Sequence, residues 1–284
     1  MIPINPLQIL FWTFRRNETD VVNLYDSLSP LMQLATGDKM LNFGYWNETT
    51  KTPLEAQQKL CSMVGELAEL NSANTVVDVG SGFSAPAVYW KSQYNLLHIA
   101  CLNINFKQLK NSPNLTADNG ISFVNATSTV FPFASHSVDR VIALESAQHF
   151  KPLKKFIRES KRILKQDGLF VIAIPVSTNT KSLTSLFRLG ILSLTWSSEH
   201  YTLAEIRSAL LQGGFQIKDV QTIGSHVYEP LTDYYVQNRD SLKSTILKEY
   251  PAYLENILFK SLLKMKDVSK NGVIDYVLIR CSPA

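Results

Sequence analysis

Five short apolar runs that do not alternate with polar residues fix what this chain can fold into. They are Thr75–Val79, Leu97–Leu102, Ile121–Val124, Val138–Leu144 and Leu169–Ile174. A strand with one face in water alternates; a strand buried on both faces does not. Between the runs lie stretches of helical spacing. Ser84–Gln93 is one, and Lys154–Lys165 is another, with Phe156, Ile157, Ile163 and Leu164 on one face and Lys and Arg on the other, stopped by Asp167-Gly168. Unalternating strands interspersed with helices predict an α/β fold, a doubly wound parallel sheet covered on both faces. Right-handed crossovers place the C-terminal ends of the strands along one edge, where such sheets bind ligands.

After the fifth run the rhythm changes. Ser182–Trp196 is apolar enough for a lid helix. Thr202–Leu211 predicts a helix with Thr202 as N-cap and Glu205 completing a capping box; Gly213-Gly214 stops it and Phe215–Ile223 reads as a strand. Tyr234–Lys266 reads as a long, aromatic-rich helical insertion before a final strand, Val273–Cys281. The expected organisation is one domain over residues 1–284. Its core spans 71–224 and 273–281, and cap elements span 1–70, 176–200 and 225–270.

Charge and cysteine usage narrow the function classes. Lys and Arg outnumber Asp and Glu 28 to 24 and are scattered, with no basic run interleaved with aromatics, which argues against a nucleic-acid partner. The three cysteines, Cys61, Cys101 and Cys281, stand singly in apolar segments. They predict reduced, buried thiols in a reducing cytoplasm and no metal site. Ile9-Leu10-Phe11-Trp12 before Arg15-Arg16 is too short to span a bilayer and does not form a signal peptide.

The loop Asp78-Val79-Gly80-Ser81-Gly82-Phe83-Ser84 is the strongest single motif. Its glycines let the backbone turn sharply from strand to helix and approach a ligand closely. The helix start then offers free N–H groups to a carboxylate or phosphate. A dinucleotide fits such a loop as well, and Ala85 at the sixth position of G-x-G-x-x-G is tolerated there. Asp78, two residues before Gly80, favours S-adenosylmethionine instead, because a carboxylate there meets the methionine ammonium.

Further segments carry a family resemblance. Leu41-Asn42-Phe43-Gly44-Tyr45-Trp46 with Leu54–Lys59 precedes the loop; Leu102-Asn103-Ile104-Asn105-Phe106-Lys107-Gln108-Leu109 follows the second run. Phe131-Pro132-Phe133, Ala143-Leu144-Glu145-Ser146-Ala147-Gln148-His149 and Arg162–Gly168 complete the set. In this order they resemble class I S-adenosylmethionine-dependent methyltransferases of the small-molecule branch, which includes cyclopropane-fatty-acid synthases, sterol C-methyltransferases and sugar O-methyltransferases. The resemblance implies a Rossmann-like seven-stranded sheet, mostly parallel with one antiparallel strand, plus a helical cap. It implies S-adenosylmethionine as cofactor and S-adenosylhomocysteine as product. The cofactor residues it implies are Asp78, Gly80, Ser81, Gly82, Asn103, Ile104, Gln108, Asn125, Ala126, Thr127, Leu144, Asn42, Tyr45 and Trp46. Two positions depart from the common pattern: Asn103 and Asn125 stand where many relatives carry acids. An amide oxygen still accepts from a ribose hydroxyl or an adenine amine, without charge assistance. The resemblance to the cyclopropane branch, which lacks acids here and uses the later glutamine, implies Gln108 as the compensating ribose ligand.

Methyl transfer is an in-line displacement, so much of the barrier is lowered by holding nucleophile and methyl together. O-methylation also benefits from a base. His149, just past the fourth strand, is the candidate base, with Glu145 to orient it or to meet the cofactor. Pro175 stands where some O-methylating relatives carry a second acid, which leaves C- and N-methylation open. His200, Tyr201, His226 and Tyr228 are candidate substrate residues. The acceptor is expected to be a small, apolar or natural-product-like molecule. Ile2–Trp12 and Leu183–Trp196 suggest a lipid- or isoprenoid-like acceptor reached through peripheral membrane contact of the N-terminal segment. A nicotinamide oxidoreductase lacks its acid near Asn103. A non-catalytic member with a binding role is the alternative that the two amides and Pro175 support.

Overall fold

The computed structural model describes residues 6–36, 40–112, 120–178, 192 and 199–284. Seven strands form one sheet in the order β3-β2-β1-β4-β5-β7-β6. They are β1 Thr75–Val79, β2 His98–Asn103, β3 Ile121–Asn125, β4 Val138–Leu144, β5 Leu164–Ser177, β6 Phe215–Thr222 and β7 Ile274–Pro283. β1 to β5 run parallel, whereas β7 is antiparallel to both β5 and β6. This is the doubly wound arrangement with one reversed strand. Asp78 on the central β1 lies opposite Cys101 of β2 and Ile142 of β4, so the loops after these three strands open on one edge.

Ten helices flank the sheet among the described residues: α1 Pro6–Arg15, α2 Glu18–Thr36, α3 Pro53–Leu67, α4 Ala85–Gln93, α5 Phe106–Lys110, α6 Leu153–Ile163, α7 Leu203–Gln212, α8 Tyr228–Gln237, α9 Arg239–Ile246 and α10 Ala252–Lys270. One core joins α3, α4 and the C-terminal helices to one face of the sheet; the other joins α6 and α7 to the opposite face. α3 begins at a capping box between Thr52 and Glu55, with Pro53 in the first turn, where no N–H is needed. Its Leu60, Cys61 and Val64 are fully buried against the sheet, and Trp90 Nε1 of α4 donates to the Cys61 carbonyl at 2.8 Å. α3 is therefore sheet-covering core, although it falls within the segment assigned to the cap from sequence.

Two other expectations shift. Asp167-Gly168 does not stop α6, because β5 already begins at Leu164. The N–H groups of His136 and Ser137 donate to the carbonyls of Arg162 and Ile163, and Leu164 turns to extended backbone opposite Val138. The insertion is three helices, interrupted at Asn238 and Pro251. It is held together by fully buried Glu255, which accepts from Arg239 Nε at 2.9 Å while the guanidinium lies over the Phe259 ring. The capping box predicted at Thr202 and Glu205 is present at α7. The proposed lid helix at 182–196 falls, except for Leu192, outside the described residues. No helix among the described residues is long and apolar enough to cross a membrane.

Candidate active site

The strand-end edge encloses a cavity of about 210 Å³ under α2. Its floor is the glycine loop. Gly80 and Gly82 adopt φ of +76° and +56°, in the left-handed region. A Cβ on Gly80 would lie 2.4 Å from Ser146 Cβ, so only glycine lets β1 turn beneath the segment after β4. Ser146 Oγ donates to the Val79 carbonyl at 2.6 Å and locks the two segments together.

Directly behind this loop, Asp78 is 2% exposed, and its Oδ2 has no hydrogen-bond partner. Burial alone pushes its carboxyl up to about 7. An orphaned, desolvated carboxylate beside a glycine turn calls for a cationic ligand, and an amino-acid ammonium supplies one. At the end of β2, Asn103 Nδ2 donates to Gln108 Oε1 at 3.0 Å, and Gln108 Nε2 to Ser29 Oγ of α2 at 3.3 Å. Both amides line the cavity together with Ile104. Their exchangeable hydrogen bonds suit ribose hydroxyls. These residues fit S-adenosylmethionine.

The far wall comes from the segment after β4. Glu145 sits at φ +50° and lines the cavity with Leu144 and His149. Its carboxylate accepts from the Phe43 N–H at 2.9 Å and from the Tyr276 hydroxyl at 2.9 Å. Burial outweighs both bonds and raises it to about 8. His149 Nε2 lies 2.8 Å from the Tyr25 hydroxyl of α2, with the rings edge to face. Burial, reinforced by Glu145, holds the Tyr25 phenol un-ionised, so it has a proton to donate when Nε2 is the unprotonated nitrogen of the His149 ring. Gln148 Nε2 donates to the Glu145 carbonyl at 2.7 Å, and its Oε1, buried in the same wall, has no partner.

The residues foreseen in the sequence divide clearly. Gly80, Ser81, Gly82, Asn103, Ile104, Gln108, Leu144, Asn42, Glu145 and His149 line the cavity, with Asp78 immediately behind it. The others do not line it. Asn125 spends its amide on the carbonyls of Asn103 and Ile104, tying the end of β3 to the start of the loop after β2. Ala126 packs with the second core, and the Thr127 hydroxyl bonds Glu18 at the start of α2. Tyr45 stacks on His226 with centroids 4.8 Å apart, and Trp46 packs on Tyr234. Tyr228 is fully buried, its hydroxyl on the Asp275 carbonyl. Tyr201 is committed to the Phe150 carbonyl, and His200 precedes it outside the cavity lining. None of the four residues expected to meet the substrate, His200, Tyr201, His226 and Tyr228, lines this cavity, which α2 roofs. Tyr25 was not foreseen. The signal was the apolar face Val21, Leu24, Tyr25, Leu28 and Met32, at helical spacing, all of it now the cavity roof.

A sheet of this order, with a glycine turn backed by an unpaired buried carboxylate, is the arrangement of class I S-adenosylmethionine-dependent methyltransferases. Residues 77–172 match the methyltransferase domain family. Erythromycin 3''-O-methyltransferase of Saccharopolyspora erythraea is 24% identical over 276 residues, 92% of this chain and 87% of the relative. The 27-O-demethylrifamycin SV methyltransferase of Amycolatopsis mediterranei is 26% identical over 148 residues, 51% of this chain and 54% of the relative. A cyclopropane synthase from Mycobacterium tuberculosis superposes with a TM-score of 0.78 at 17% identity, covering 91% of this chain and 95% of that one. Residues 77–172 thus carry a methyltransferase domain, and the chain is similar over most of its length to a methyltransferase that acts on a small molecule.

Proposed function

We propose that the protein transfers a methyl group from S-adenosylmethionine to a hydroxyl of a small, largely apolar, natural-product-like acceptor. The observation that carries the hydroxyl assignment is the Tyr25–His149 pair, 2.8 Å apart in the same cavity as the glycine loop. The two named relatives, an erythromycin 3''-O-methyltransferase and a 27-O-demethylrifamycin SV methyltransferase, support oxygen as the methylated atom.

The bound cofactor supplies an electrophilic methyl on a sulfonium. The chain's own residues do the rest. Asp78 receives the ammonium, and Asn103 and Gln108 hold the ribose. An acceptor hydroxyl bonded to Tyr25 Oη is one step from His149: as it attacks, its proton passes to the phenol oxygen and the phenol proton passes to Nε2. Phe43, Phe83 and Phe150 with the α2 roof exclude water around this exchange. The apolar lining favours an isoprenoid- or lipid-like acceptor. The outward side of α1 exposes Leu7, Phe11 and Phe14, each more than 60% accessible, and supports peripheral contact with a lipid surface.

Calorimetric titration with S-adenosylmethionine, S-adenosylhomocysteine and NAD tests the cofactor. Micromolar binding of the first two, lost in Asp78→Ala, is the expected result. A screen of hydroxylated apolar acceptors, read by release of S-adenosylhomocysteine, tests the reaction. Binding of NAD alone, or turnover confined to amines or olefins, would reject this reading.

A further inference from the structure

Glu145 lines the cavity and Asp78 lies immediately behind it, and among the described residues no cation balances either carboxylate. Asp78 has neither a hydrogen-bonded nor an ion-paired partner at Oδ2, and Glu145 is held only by a backbone N–H and a phenol. No ion pair of the described residues includes either. The titratable groups packed against them are neutral. The phenols of Tyr25, Tyr228 and Tyr276 face Glu145 from α2, α8 and β7, and burial raises all three. The Cys61 thiol of α3 faces both carboxylates and the Cys101 thiol of β2 faces Asp78; burial raises these too. His149, on Glu145's own segment, is the remaining titratable neighbour.

An unpaired buried carboxylate lowers its cost by taking up a proton, and it releases that proton when a cation arrives. The two cofactor forms differ in one respect that matters here. Both carry the ammonium that Asp78 meets, but only the methyl donor carries a sulfonium; the product has a neutral thioether. Glu145, just past the end of β4, lines the same cavity as the glycine loop and the Tyr25–His149 pair, so a sulfonium held in that cavity would share it with this carboxylate. We propose that Glu145 distinguishes the methyl donor from the demethylated product, by giving up a proton when S-adenosylmethionine binds and keeping it when S-adenosylhomocysteine binds. Loss of the sulfonium charge on transfer then lets Glu145 take a proton back from solvent and removes an attraction that had held the donor, which favours product release. This rests on the methyltransferase reading of the cavity.

The sign follows from the ordinary state of Glu145, raised to about 8. Below that pH the donor must displace a proton; above it the carboxylate is already charged. Donor affinity relative to product therefore rises by up to about tenfold per pH unit from pH 6 to 8 and levels off beyond. The shared contribution of Asp78 cancels in the ratio.

Isothermal titration calorimetry of the full chain at pH 7, in phosphate and in Tris, counts protons released from the buffer dependence of the enthalpy. S-adenosylmethionine is expected to release about one proton more than S-adenosylhomocysteine. The excess disappears in Glu145→Gln, whose amide oxygen still accepts from Phe43, and persists in His149→Gln. If Glu145→Gln does not fold, the wild-type count at pH 9 replaces it, where the excess is expected to vanish. Equal counts for the two ligands, an excess that survives Glu145→Gln or pH 9, or one lost only in His149→Gln would overturn the proposal while leaving the function intact. Failure of both ligands to bind would remove the methyltransferase reading itself.

Discussion

Tyr25 and His149 lie 124 positions apart in the chain, yet their polar atoms are 2.8 Å apart, so two segments must both be in place before the exchange of protons can occur. Tyr25→Phe keeps the ring and its packing and removes only the relay. It is expected to lower kcat about 10-fold to 100-fold, and His149→Gln about 100-fold or more, with cofactor affinity nearly unchanged. Steady-state kinetics on an acceptor from the screen, beside calorimetry on the same variants, separates the two effects. An equal fall in cofactor affinity would make Tyr25 a structural residue. The same separation explains what the sequence could and could not reveal. Asp78, Gly80 and Gly82 form a local motif, and every constraint on them lies within a few residues. His149 follows a strand whose end is on the ligand edge by topology alone. Tyr25 belongs to a helix whose position depends on contacts far away in the chain, which no local pattern encodes. His226 and Tyr228 have suitable chemistry, but Tyr228 fills the core and His226 stacks on Tyr45.

α2 reaches the sheet edge mainly through polar contacts. Glu18 bonds Thr127, Asp26 accepts from Asn105 and from Lys107 at 2.8 and 2.6 Å, and Ser29 accepts from Gln108. Its other side is braced by the insertion, where the Tyr250 hydroxyl donates to the Ser27 carbonyl. α3 and α7 are different. Each begins at a complete capping box and buries an apolar face. Thr202→Ala or Thr52→Ala is expected to cost about 1 kcal/mol, read as a lower urea midpoint without a change in slope. Lys107→Ala is expected to change stability by no more than about 0.5 kcal/mol, since its side chain is exposed. Capped, periodic elements were the legible ones. The junction of α6 and β5 was misplaced because Gly168 reads locally as a stop. It lies inside the strand, where a Cβ would come within 2.8 Å of Leu164 Cδ2.

Over the whole molecule the buried acids set the response to pH. Asp78 and Glu145 have ordinary values near 3.8 and 4.5 and are raised to about 7 and 8 in the fold. Between those limits the folded chain binds more protons than the unfolded one. Ligand-free stability is therefore expected to fall as pH rises through this window and to level off above about 8. Asp139 acts in the opposite sense. Burial would raise it, but hydrogen bonds from Lys165, from the Asn74 and Thr75 N–H groups and from the Thr75 hydroxyl bring it down to about 2. Its contribution is complete above 3.8 and is lost as pH falls towards 2. Thermal melts from pH 3 to 9 check both limbs. The gain on adding S-adenosylmethionine is expected to grow towards pH 8, and a gain that does not change with pH would contradict this account. The overall architecture was readable because each strand declares its own burial, but the order of β6 and β7 was not. β7 pairs with β5 along one side and with β6 along the other. It follows both in the chain, so during synthesis β5 and β6 wait with bare edges until it emerges from the ribosome. The newborn chain is thus most open to misassociation in the interval between β6 and β7, and a chaperone that shields those edges has its natural moment of action there.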